Sequence, residues 1–189
     1  MPMIRECVVT TVGPTGQTHL APLGLIEDGA FWIIAPFRPS TTLANLEAAP
    51  FATASFIDDV RIIAGCVCGR SDFPLEPVSG WSTPRLAAAL SHAELEVARA
   101  EADPKRPRFF CRVKKIVSHA PFLGFNRAQA AVVEAAILAT RLGMLPREKI
   151  DTELAYLQIA VDKTAGPVER EAWDLVTAKI KSYLQTQPD

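Results

Sequence analysis

The residues best suited to chemistry lie in one stretch, Phe37-Arg38-Pro39-Ser40-Thr41-Thr42-Leu43-Ala44-Asn45-Leu46. An arginine, a serine and two threonines sit where a strand-like run, Ala30-Phe31-Trp32-Ile33-Ile34-Ala35, gives way to a short helix-like run. Ser40 reads as the N-cap, since its hydroxyl can accept a bond from a free backbone N–H of the first turn. The neighbouring N–H groups then point outward, with the positive end of the helix dipole behind them. Such an arrangement attracts anions, and phosphate is the usual one. The same residues also read as an ordinary capped helix beside a solvated Arg38. Spacing alone does not choose between the two.

Other chemistry is thinner. His19, His92 and His119 lack a serine or cysteine partner in any recognisable nucleophile motif. His19 and His119 fall on expected strands and could flank a cleft. Cys66-x-Cys68 is a weak metal signal, with no histidine or second cysteine pair close in sequence, so no metal is expected. No Gly-x-Gly-x-x-Gly fingerprint and no Walker sequence occurs, which disfavours a Rossmann domain and a P-loop enzyme. Arg127, Glu134 and Arg141 lie seven apart on an otherwise apolar helix. They project from nearly one face, ~10 Å apart. That line is either a solvated stripe or a face turned to a polar cleft or partner.

The elements that must hold these residues follow in order. Residues 4–12, 18–26, 30–36 and 51–57 read as strands joined by links of hairpin length. Pro22 inside the second demands an edge, a bulge or a break in the ladder. The pattern predicts an antiparallel barrel or sandwich, interrupted by a helix at 41–48. Thr83-Pro84 looks like a helix start, and Leu86, Leu90, Ala93 and Val97 follow at helical spacing, so a helix is expected near 83–103. Residues 108–119 alternate as a long strand. The last third predicts three helices, over 127–142, 147–163 and from Pro167 onward. The third carries Trp173, Val176, Ile180 and Tyr183 as a packing stripe.

Composition sets the outer bounds. The chain has 189 residues, nearly half of them apolar, so a sizeable core is available. A net charge of −1 without a long basic run argues against a nucleic-acid partner. No apolar stretch reaches the ~18–20 residues that span a bilayer, and Met1-Pro2-Met3-Ile4-Arg5-Glu6 lacks an apolar signal core. A cytoplasmic location without membrane contact is the expectation. The four cysteines are too scattered for a disulfide framework.

The order strand, Thr10-Thr11, turn, Ala21-Pro22-Leu23-Gly24, strand, Arg38-x-Ser40-x-Thr42-x-x-Asn45-Leu46, strand, Asp58-Asp59 resembles the flavin-reductase-like split β-barrel superfamily. With Phe125-Asn126-Arg127-Ala128, Glu134-Ala135-Ala136-Ile137 and Thr140-Arg141-Leu142, nearly the whole chain resembles its DUF447 family. The resemblance implies an α+β, mainly β fold. Residues 1–120 would form an FMN-binding split barrel, and residues 121–189 a helical extension packed on it. It implies a homodimer holding FMN at the subunit interface. Arg38, Ser40, Thr41 and Thr42 would hold the phosphate and Asn45 would bond nearby. Ala21, Pro22 and Leu23 would run past the isoalloxazine edge. Ser55 departs from the pattern, since relatives tend to carry asparagine there. An FMN-dependent oxidoreductase acting on a small redox substrate is implied, with a link to methanopterin-type one-carbon metabolism. A flavin-binding carrier or sensor without turnover, or an interaction module using the charged helix face, are the competing expectations.

Overall fold

A computed structural model describes residues 2–186. The chain divides into two compact units. The first comprises residues up to Ile57 and Asp72–Phe122; the second comprises Asp58–Ser71 and the chain from Leu123 onward. Residues 58–71 thus group with the chain beyond residue 122 rather than with the strands.

The first unit is a closed antiparallel barrel. Its strands run β1 (Met3–Val12), β2 (Thr18–Asp28), β3 (Phe31–Ile34), β4 (Phe51–Phe56), β7 (Ser91–Glu101) and β8 (Arg108–Ser118). They neighbour one another in the order β1-β2-β3-β8-β7-β4, and β4 closes back on β1. The short strands β5 (Leu75–Glu76) and β6 (Arg85–Leu86) form a separate pair. Alternation along the strands sends Cys7, Val9, Leu25, Ala54, Ala93, Leu95 and Phe109 into one buried core. Helix α1 (Thr41–Ala48) adds Leu43 and Leu46 to that core.

Pro22 sits inside β2 without breaking it. Its neighbour there is Val8 of β1. On its other side β2 meets β3 only at Ile26–Asp28, so residues 18–25 have no ladder partner there among the described residues. Pro22 thus lies where one edge of the strand is open, a setting that tolerates proline.

The helix expected near 83–103 is instead β6 and β7. Ala93 and Val97 lie four apart, a spacing that satisfies a period of 3.6 and a period of 2 equally. Pairing decides. Phe51–Phe56 takes Ser91–Glu96 on one side, and β8 takes β7 on the other. Ala93 and Leu95 face the core, while His92 and Glu94 take the opposite face. Thr83 is no N-cap: its hydroxyl and carbonyl both meet the Thr53 hydroxyl, at 2.7 and 2.9 Å.

The second unit contains α2 (Val60–Val67), α3 (Arg127–Ala139), α4 (Arg147–Thr164) and α5 (Pro167–Thr186). Helix α2, which the sequence reading did not predict, starts at Asp59, whose carboxylate accepts from the Arg61 N–H at 3.1 Å. Helix α3 buries a run of small side chains, Ala128, Ala131, Ala135 and Ala136, which permits close approach of its neighbours. Trp173, Val176 and Ile180 of α5 are buried, as the stripe predicted. Arg127, Glu134 and Arg141 are all exposed, and Arg141 lies just past the end of α3. Among the described residues Glu134 makes no ion pair, so within its own chain the line is a solvated stripe. No helix among the described residues is long and apolar enough to cross a membrane.

Candidate functional site

The start of α1 takes the predicted form. Ser40 is the N-cap in an extended conformation, and its Oγ accepts from the Leu43 N–H at 3.3 Å. The Ala44 N–H bonds the Ser40 carbonyl at 3.1 Å. The N–H groups of Thr41 and Thr42 therefore remain without an intrahelical partner. The first turn carries no acidic residue, so no carboxylate of α1 itself meets the positive end of the dipole.

This helix start faces the turn between β1 and β2. A cleft of about 420 Å³ opens there, lined by Gly13, Pro14, Thr15, Gln17, Thr18 and His19 of the hairpin and by Thr41 and Asn45 of α1. The hairpin is fixed from within: the Gly13 N–H donates to Gln17 O, and the Gly16 N–H donates to Gly13 O, both at 2.9 Å. Gly16 adopts φ +81°, the left-handed region that glycine enters without a Cβ penalty. Asn45 is buried and donates through Nδ2 to Thr11 Oγ1 at 3.0 Å, joining α1 to β1. A Cβ at Gly13 would stand 3.0 Å from Asn45 Oδ1, so glycine keeps this corner of the cleft open.

Not every predicted residue lines the cleft. Thr41 and Asn45 do. Thr42 is 2% exposed, its side chain turned into the fold. Arg38 lies outside the lining, half exposed, with Nη2 3.1 Å from Glu47 Oε1. Ala21, Pro22 and Leu23 are half-buried on β2, opposite Val9, Val8 and Cys7. They begin two residues beyond His19, ~7 Å along the strand. Ser55 is fully buried, and its Oγ accepts the Leu86 N–H at 3.1 Å, a structural role.

His19 is the cleft residue that sequence reasoning undervalued. Burial holds its imidazole below its ordinary value, so it is neutral at pH 7. The other unforeseen arrangement is on the barrel's outer side, where His92 Nδ1 and His119 Nε2 lie 2.8 Å apart in nearly parallel rings. His92 Nε2 is buried without a hydrogen-bond partner, 3.8 Å from the Glu94 carboxylate. Strand register would have revealed this pair, because it places His92 opposite Val117. A helix over the same residues hides it. Burial pushes the Cys7 and Cys111 thiols up to about 12, which makes them core residues rather than nucleophiles. Among the described residues no group of three or more His, Cys, Asp or Glu side chains is arranged to hold a metal ion.

A family model for the N-terminal domain of DUF447, a protein of unknown function, matches residues 5–120, and a second DUF447 model matches residues 126–178. The chain belongs to the DUF447 family. An FMN-bound DUF447 protein of Methanosarcina mazei has a similar structure, with a TM-score of 0.80 at 18% identity over 93% of this chain and 94% of that one. The 2-nitrobenzoate 2-nitroreductase of Pseudomonas fluorescens gives 0.52 at 18% identity, over 62% of this chain and 64% of that one. An FMN-binding protein of Thermus thermophilus gives 0.52 at 16% identity, over 62% and 71%. No curated protein matches the sequence. At these identities the likeness is one of fold: this DUF447 chain has the split barrel of FMN-binding proteins, with a helical unit beyond it.

Proposed function

We propose that the chain is an FMN-binding flavoprotein of the flavin-reductase type, working as a homodimer. The observation that carries this reading is the Ser40-capped start of α1, facing a cleft and free of acidic residues in its first turn. The donor set fits a phosphate ester. The Thr41 and Thr42 N–H groups have no intrahelical partner, the exposed Thr41 hydroxyl stands beside them, and Arg38 is two residues before the cap. Ala21, Pro22 and Leu23 would line the ring edge. Along that stretch of β2 the ladder is open on one side, which leaves backbone groups for a planar ligand or a second subunit. The FMN-bound relative of the same family supports the choice of ligand.

Bound FMN would supply hydride or single-electron transfer. The chain's own part is to bind, orient and shield. The α1 dipole and Arg38 anchor the anionic end, and Asn45 fixes α1 against β1 through Thr11. His19, neutral at pH 7, lends the cleft a hydrogen-bonding group without adding a charge. A small redox substrate completes the reaction. The methanopterin-type one-carbon link implied by the resemblance is the reason to assay a reduced pterin first. The absorption spectrum of the purified protein, and of the cofactor it releases, tests the reading. Bands near those of free FMN are expected. A protein that stays colourless and takes up no added FMN contradicts it.

A further inference from the structure

Helix α4 packs by one narrow side. It spans 18 residues, Arg147–Thr164; Ile150 and Val161 are its buried residues, with Leu154 and Leu157 half-buried beside them. The opposite face is not simply polar. Tyr156 is 76% exposed and Ile159 50%, with Thr152 and Ala155 exposed beside them. Among the described residues α3 and α5 expose no large apolar side chain, so the feature is particular to α4. At 3.6 residues per turn, Glu148, Thr152, Tyr156, Ile159 and Lys163 run as one stripe opposite the buried side. Its ends carry opposite charges, since Glu148 lies in the first turn and Lys163 in the last. Neither makes an ion pair among the described residues, whereas Lys149 is held by Glu153 at 2.6 Å and Arg147 lies 3.6 Å from Asp151.

The stripe is symmetric about the middle of the helix, between Ala155 and Tyr156. Thr152 and Ile159 stand equally far from that point, as do Glu148 and Lys163. A second α4 laid antiparallel over the stripe sets Thr152 against the partner's Ile159 and Glu148 against the partner's Lys163, and the two-fold repeats both contacts. At the centre each Ala155 meets its own copy, and so does each Tyr156. The small Ala155 permits close approach, and the Tyr156 ring supplies contact area. The helix dipole by itself favours an acid at the start and a base at the end. It does not account for a tyrosine and an isoleucine exposed between them. We propose that α4 is a contact face of the homodimer, packing antiparallel on α4 of a second copy of the chain. This rests on the homodimer of the reading above and on nothing in that reading about flavin.

Oxidative cross-linking of the full chain tests the pairing. Ala155→Cys should give a covalent dimer at micromolar concentration, and the parent chain, with its four free cysteines, should not. Glu148→Cys alone should give none, because its two copies would lie ~22 Å apart along the helices. Glu148→Cys combined with Lys163→Cys should link. Ile159→Asp should cut the Ala155→Cys product at least about tenfold while helical circular dichroism is retained, since Ile159 is half exposed in the single chain. Glu148→Lys should cut it at least about twofold at low salt, and Lys163→Glu added to Glu148→Lys should restore it. A chain that light scattering shows to be dimeric, but in which neither Ala155→Cys nor the double cysteine variant links, overturns the α4 contact and leaves the homodimer standing. A monomeric chain overturns both. Equal linking by Glu148→Cys alone, or linking that survives Ile159→Asp undiminished, marks random collision and also overturns the contact. Specific linking in a protein that refuses FMN upholds the contact and overturns the flavin reading instead.

Discussion

Single residues compete for the same charges at this site. Glu47 holds Arg38 at 3.1 Å, with both side chains about half exposed. An incoming phosphate must draw Arg38 away from that carboxylate. Glu47→Gln should therefore tighten FMN modestly, by no more than the ~0.2–1 kcal/mol that an exposed ion pair is worth. Riboflavin, which lacks the phosphate, should respond less in the same titration. The buried His92 makes a second residue-scale prediction. Desolvation, then the neighbouring His119 charge, lower its pKa, while Glu94 opposes them and Arg85 adds to the lowering. His119 is lowered by desolvation and Arg85, against Glu76. The folded state thus favours neutral imidazole, and the unfolded chain binds more protons below its ordinary 6.5. Stability should be complete above about pH 6.5 and fall as pH drops toward the depressed folded value. His92→Gln should flatten that fall in thermal melts between pH 7 and 5. An unchanged slope would remove His92 from the account.

Elements explain both what the sequence revealed and what it hid. The start of α1 was legible because capping is local: Ser40 followed by an apolar helical run needs no distant partner to be recognised. Ser40→Ala should cost about 1 kcal/mol of stability in denaturant melts and weaken FMN as the first turn frays. β7 was not legible, because its identity lies in its partners. Residues four apart suit a helix and a strand alike, and only the open sides of β4 and β8 settle the choice. The His92–His119 pair went unseen for the same reason. Helix α2 is eight residues long and follows the Asp58-Asp59 turn directly, so its apolar run offered little periodicity to read. Within the predicted site, Thr41 and Asn45 came together around the cleft. Thr42 and Arg38 did not, because helix phase turns Thr42 inward and Glu47 draws Arg38 aside.

At the scale of the molecule, the open stretch of β2 matters most. Residues 18–25 present an unpaired edge, with Ala21–Leu23 half-buried in the single chain. Natural proteins rarely leave such an edge bare. A second copy would cover it and close over a planar ligand. Light scattering at micromolar concentration should report twice the 20.5 kDa chain mass. A monomer that binds FMN at full affinity would contradict the dimer while leaving the phosphate site intact. That site is the central claim. Its most direct test is the affinity of wild-type protein and of Arg38→Ala for FMN and for riboflavin. Loss of a hydrogen bond to a charged group should cost FMN ~1.5–3 kcal/mol and leave riboflavin nearly unchanged. Equal losses for the two ligands would mean that Arg38 acts on the ring or on the fold, and that the start of α1 does not hold the phosphate.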